Sequence, residues 1–245
     1  MRSRSVHLTR AWIPNSVTAF SVFLGYLSII AAFEGEAVTA AWLIVMAGVC
    51  DLFDGRLARM VGGTSKFGSY FDSLADAINY GVAPSLLFYE LYFQRWGVAG
   101  ALLSFLPTVF GALRLARFNV ISDEEESGGY FVGLPTTMAA GLLASYVIFM
   151  HDVFGGYGTP MTAGILLALA AVLMVSAVPY EHNRFLTDRA LHRNWKALLL
   201  LLALVTAAWF GGRALFPWLA LYLAYGLVRS AFNTARYELE MRKSR

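Results

Sequence analysis

Eight positions between residues 51 and 76 carry residue types and spacings that suggest chemistry: Asp51, Asp54, Gly55, Ala58, Arg59, Gly68, Asp72 and Asp76. On helices, residues three or four apart share a face. Asp51 and Asp54 therefore lie together with Gly55 beside them, and Asp72 and Asp76 lie together one turn after Gly68. Four carboxylates at adjoining helix ends repel one another unless something cationic sits between them. Hard divalent cations with oxygen ligands meet that need. Two such ions held by shared carboxylates suit phosphoryl transfer, where they neutralise charge on the phosphate and on the reacting oxygens. Arg59 adds a planar fork of donors that matches a diphosphate. The glycines let a phosphate or a backbone come close, and Ala58 permits tight helix packing. Taken singly, each charged residue reads equally well as an interfacial cap or a snorkelling group. The full set in register does not.

The elements that must position these groups are read from composition. The chain has 245 residues, of which 58% are hydrophobic and 14% charged. Soluble domains run near ~45–50% and ~25%, and the mean hydropathy is +0.58. Too few charges remain to cover a water-facing surface, which argues against a soluble enzyme and against a disordered chain. The single cysteine, Cys50, excludes a disulfide framework and reads as a small packing residue. A net charge of +3 gives no reason to expect nucleic acid as a partner. The expectation is an all-α, polytopic integral membrane bundle.

A membrane-spanning helix needs roughly 20 mostly apolar residues. Eight segments qualify, over about 16–33, 37–52, 70–93, 97–113, 133–150, 161–178, 197–210 and 215–228, with the second and fourth continuing as helix into polar sequence. The N-terminus does not read as a cleaved signal peptide, since no small-residue cleavage site follows the first apolar stretch. Basic residues favour the cytoplasmic side. With the N-terminus inside, 17 of the 19 basic residues fall inside and only Arg95 and Arg213 fall outside. That count supports an even number of spans and cytoplasmic termini; six spans would require two apolar segments to be reassigned. The aspartate cluster then faces the cytoplasm.

The pattern D-x-x-D-G-x-x-A-R-x8-G-x3-D-x3-D, complete from Asp51 to Asp76, resembles the signature of the CDP-alcohol phosphotransferase family. The resemblance implies a membrane enzyme that displaces CMP from a CDP-linked lipid or alcohol with the hydroxyl of a second alcohol. It implies that Asp51, Asp54, Asp72 and Asp76 bind two divalent cations, Mg²⁺ or Mn²⁺, and that Asp76 is also the general base. Gly55, Arg59, Ser65 and Gly68 would line the CDP-lipid site. Asn15 and Thr18, in Pro14-Asn15-Ser16-Val17-Thr18, match the family's Pro-Asn-x-x-Thr entrance to the first span.

The signature leaves the acceptor open. Ser73-Leu74-Ala75 between the last two aspartates, Gly81 to Pro84, Arg114 to Asn119, Gly133 to Thr136 and Val175 to Tyr180 resemble the membrane-embedded phosphatidylserine synthases within that family. This implies CDP-diacylglycerol and L-serine as substrates, membrane lipid as surroundings, a homodimer, and the cell (inner) membrane as location. Serine is a zwitterion and needs a cation for its carboxylate. Arg114, Arg117 and Asn119 are the candidates, and the two arginines read equally well as positive-inside anchors. Residues 1–180 would form the catalytic membrane domain, and 181–245 a C-terminal hairpin with a basic tail. Open alternatives are sister transferases using glycerol 3-phosphate, inositol phosphate or choline, and the archaeal ether-lipid equivalent. A cation transporter is the rival from another class. It would place carboxylates near mid-span, whereas these cluster at one membrane face.

Overall fold

The computed structural model describes the backbone of residues 2–60, 66–123, 133–176 and 211–243, and the side chains of 15–53, 67–120, 133–176 and 211–229. Every regular element among the described residues is helical. Helix α1 spans Arg2–Phe33 and α2 Ala37–Met60. Helix α3 (Lys66–Asp76) runs on through a π-helical turn, Ala77–Val82, into α4 (Ala83–Phe88). After a second π turn, Tyr89–Phe93, and a 3₁₀ turn, Gln94–Trp96, follow α5 (Gly97–Ser104) and α6 (Leu106–Asp123). Then come α7 (Thr136–Phe154), α8 (Pro160–Val175) and α9 (Gly212–Lys243). Seven of the eight expected spans overlap these helices; the seventh, 197–210, falls outside the described residues.

Three described stretches are long and apolar enough to cross a membrane: Asn15–Phe33, Phe67–Val120 and Thr136–Phe154. Two shorter apolar helices accompany them, Ala37–Phe53 and Pro160–Val175. The 54-residue Phe67–Val120 stretch folds back on itself. Thr108 Oγ1 lies 3.2 Å from the Gly81 carbonyl oxygen and 2.9 Å from Ser85 Oγ, so α6 packs against the chain that precedes the 3₁₀ turn. As the polar sequence suggested, α2 and α6 both continue past their apolar segments, to Met60 and Asp123. Those extensions carry Asp54, Gly55 and Arg59 on α2 and Arg114, Arg117 and Asn119 on α6.

The core is built from small and branched residues. Ala40, Ala41 and Ile44 of α2, Tyr80, Ala83 and Leu87 of the third helical stretch, Ala140, Leu143 and Val147 of α7, and Leu167 and Ala170 of α8 are all buried together. Alanine at these contacts lets the helix backbones approach, which replaces the missing hydrophobic drive between helices in lipid. Leu223 of α9 joins the same cluster, so the C-terminal helix is packed onto the body of the protein. Phe20, Phe23, Leu102, Ile165 and Leu221, by contrast, face outward. Such a broad apolar exterior fits lipid as the surrounding medium. Two interior serines donate to backbone carbonyls, Ser28 of α1 to Ala40 of α2 at 2.9 Å and Ser145 to Leu142 within α7 at 3.1 Å.

Gly133-Leu134-Pro135-Thr136 has a structural role at the entry to α7. Gly133 adopts φ +102°, and a Cβ there would run into the Met174 carbonyl oxygen. Leu134 is buried, and its N–H donates to the Leu173 carbonyl at 2.8 Å. The motif seats the start of α7 against the end of α8.

Candidate active site

The site forms where the last turns of α2 approach α3. Asp51 comes from α2, and Asp72 and Asp76 from α3. Each offers one carboxylate oxygen, and these oxygens all lie within 4.8 Å of one another; all three residues are half-buried. At that separation, with an effective dielectric near 20, each ionised pair repels by about 3.5 kcal/mol before screening. A three-carboxylate, all-oxygen donor set is the chemistry that hard divalent cations select. The residues present therefore fit a metal. Asp54, Gly55 and Arg59 lie on the backbone of the same helix as Asp51, with their side chains outside the described set, and Ser65 lies outside the described residues altogether. Gly68 is half-buried on α3, one turn ahead of Asp72.

Helix α6 brings a second group of residues. Arg114 is half-buried and within electrostatic reach of Asp76. Arg117, three residues further along, is exposed. Asn119 is half-buried, and Ser73 Oγ donates to its Oδ1 at 3.1 Å while lying 3.2 Å from the Ser69 carbonyl oxygen. Ser73 sits between Asp72 and Asp76 in sequence, so this bond ties α6 to the helix that carries them. The structure thus groups Arg114 and Asn119 with the carboxylates and leaves Arg117 on the outside.

On α1, Asn15 is half-buried and Thr18 buried, and the Thr18 carbonyl accepts from Ser21 Oγ at 3.0 Å. Sequence reasoning passed over Ser21 and its partner Asn79. Asn79, in the π turn directly after Asp76, is 1% exposed, and its Nδ2 donates to Ser21 Oγ at 3.0 Å. The available signal was a lone amide within an apolar run, one turn after a site aspartate. His151 is exposed and lies 3.1 Å from Asp152 Oδ1.

An all-helical chain with long apolar helices and, at one helix junction, a carboxylate cluster able to hold a metal ion defines the class of membrane-embedded helical proteins. The sequence profile of the CDP-alcohol phosphatidyltransferase family matches residues 11–179, and the chain belongs to that family. It is 37% identical over 237 residues to a CDP-diacylglycerol–serine O-phosphatidyltransferase of Helicobacter pylori strain 26695, covering 94% of this chain and 96% of that protein. The same enzyme of Helicobacter pylori strain J99 is 36% identical over 236 residues, with the same coverage. An archaetidylserine synthase of Methanothermobacter thermautotrophicus is 32% identical over 170 residues, covering 69% of each chain. The matched region contains every described site residue. Membership of the family and the apolar helices make this an integral membrane protein.

Proposed function

We propose that the chain transfers the phosphatidyl group of CDP-diacylglycerol to the hydroxyl of L-serine, giving phosphatidylserine and CMP. The observation that carries this reading is the convergence of Asp51, Asp72 and Asp76 within 4.8 Å. The names of the relatives and their near-complete overlap with the chain support serine as acceptor. The archaeal relative supports the same acceptor on a different lipid.

Asp51, Asp54, Asp72 and Asp76 are proposed to hold two divalent cations, Mg²⁺ or Mn²⁺. When bound, these supply charge neutralisation for the diphosphate and for the departing CMP. The other steps belong to the protein. Arg59, with Gly55, Gly68, Ser65, Asn15 and Thr18, binds and orients the CDP headgroup. Arg114 and Asn119 take the serine carboxylate and amine, and Ser73 holds the Asn119 amide in place. Asp76 accepts the hydroxyl proton as the serine oxygen attacks the lipid-linked phosphorus. The phosphorus–oxygen bond to the bridging oxygen breaks, and CMP leaves with that oxygen. Direct displacement needs no covalent enzyme intermediate. The acyl chains remain among the helices, so the lipid need not be extracted.

The wider assignment follows the same reading. Residues 1–180 form the catalytic membrane domain, and 181–245 a C-terminal hairpin and tail, for eight spans in all with cytoplasmic termini. The site faces the cytoplasm at the cell (inner) membrane, and the protein is a homodimer. The deciding experiment supplies purified protein in liposomes with CDP-diacylglycerol and Mg²⁺ or Mn²⁺. Serine, glycerol 3-phosphate, inositol phosphate or choline is added in parallel, and CMP release is measured. Release with serine alone is expected. Release driven by glycerol 3-phosphate but not by serine overturns the acceptor assignment and leaves the phosphotransfer chemistry standing.

A further inference from the structure

Asp76 is the last residue of α3, and the chain leaves it through the π turn Ala77–Val82. Such single π turns recur near functional sites, where the extra residue re-aims the helix. Within this turn Asn79 points into α1. Its Nδ2 donates to Ser21 Oγ at 3.0 Å, and Ser21 Oγ in turn donates to the Thr18 carbonyl at 3.0 Å. Asn79, Ser21 and Thr18 are 1%, 2% and 5% exposed. Asn79 Oδ1 has no hydrogen-bond partner among the described residues and packs directly onto Gly25, where a Cβ would collide with it. An amide placed this deep, in a notch that only glycine leaves open, costs more free energy than an apolar residue would unless its position serves something.

We propose that Asn79 is a positioning residue for the metal-site carboxylates. Through Ser21 it locks the rotation of α3 about its axis relative to α1, and so sets Asp72 and Asp76 against Asp51. The lever is large. A carboxylate tip lies about 6 Å from its helix axis, so a rotation of about 10° moves it by roughly 1 Å, whereas metal–ligand distances tolerate only about 0.2 Å. The same lock joins the end of α3 to the Thr18–Ser21 turn of α1, so the aspartates and the proposed nucleotide entrance are held as one unit.

This inference rests on the metal role proposed for the three aspartates, and the experiment separates the two. Mn²⁺ binding to the purified protein is measured by titration with electron paramagnetic resonance, without substrate. Melting temperature is recorded alongside, for wild type, Ser21→Ala, Ser21→Thr, Asn79→Ala and Asp72→Asn. Ser21→Ala removes only the hydroxyl and is expected to weaken Mn²⁺ binding about three- to tenfold, the worth of one buried hydrogen bond. Ser21→Thr, which keeps the hydroxyl, is expected to restore it, and Asn79→Ala to weaken binding at least as much as Ser21→Ala. Lowered melting temperature with wild-type Mn²⁺ binding in both Ser21→Ala and Asn79→Ala overturns the positioning role and leaves a purely structural one. Equal Mn²⁺ binding by wild type and Asp72→Asn overturns the metal reading itself, and the positioning role with it.

Discussion

Replacing Asp72 with asparagine has opposite consequences for the protein with and without metal, and the structure gives the size of both. Without metal, Asp72 repels Asp51 and Asp76, whose oxygens lie within 4.8 Å of its own. Two ionised pairs at about 3.5 kcal/mol each give about 7 kcal/mol before screening. Because the carboxylates are half-buried, water and counter-ions screen this to about 1–2 kcal/mol. Asp72→Asn is therefore expected to melt higher than wild type in EDTA. At about 2–4 °C per kcal/mol, the rise is roughly 2–8 °C. With metal the order reverses. A cation at a hundred times its dissociation constant stabilises the wild type by about 2.7 kcal/mol, and the variant forfeits most of that gain. Loss of a residue that merely supports a metal ligand costs about 10–100-fold in affinity or activity. Loss of a direct ligand is expected to cost more than about 100-fold in metal-dependent CMP release. The assay is a thermal melt in detergent with EDTA or Mn²⁺, followed by CMP release across a metal titration. Near-normal turnover of Asp72→Asn at ordinary metal concentrations refutes the reasoning, as does a wild-type melt that Mn²⁺ leaves unchanged.

Asp76→Asn is expected to bind CDP-diacylglycerol with metal present yet fail to transfer, while Arg59→Lys weakens binding because a point charge cannot reproduce the bidentate fork; equal loss of binding in both sinks that division of roles. Arg114→Ala should raise the KM for serine about tenfold to a hundredfold, the worth of a charge-assisted bond of roughly 1.5–3 kcal/mol. Arg117→Ala, at an exposed position, should change it far less, and serine kinetics that respond equally to the two would show that the helix face does not select the acceptor site. Ser73→Ala removes the bond to Asn119 and should raise the KM for serine about two- to tenfold with the KM for CDP-diacylglycerol little changed. A matching rise in both constants would make Ser73 a general structural support.

The aspartate cluster was legible because its information is local. Spacings of three and four residues define a helix face whatever the helix packs against, which puts Asp72 and Asp76 together on α3 and lets the full motif, Asp51 to Asp76, be recognised as a family resemblance. The apolar segments were legible for a similar reason: a bilayer imposes length and composition on each span separately. Periodicity could not say how α2 and α3 approach, and so could not bring Asp51 to the other two. Nor could it choose between Arg114 and Arg117. Both satisfy the same positive-inside rule, and only the rotation of α6 in the packed bundle turns one toward Asp76 and leaves the other exposed. The bonds from Ser73 to Asn119 and from Asn79 to Ser21 span 46 and 58 residues of chain. Such contacts depend on helix rotation and on the extra residue of a π turn, which shifts a side chain from one face to another without altering the hydropathy of the segment. Residue types and spacing therefore determined which groups are equipped for chemistry, and the tertiary packing alone decided which of them meet.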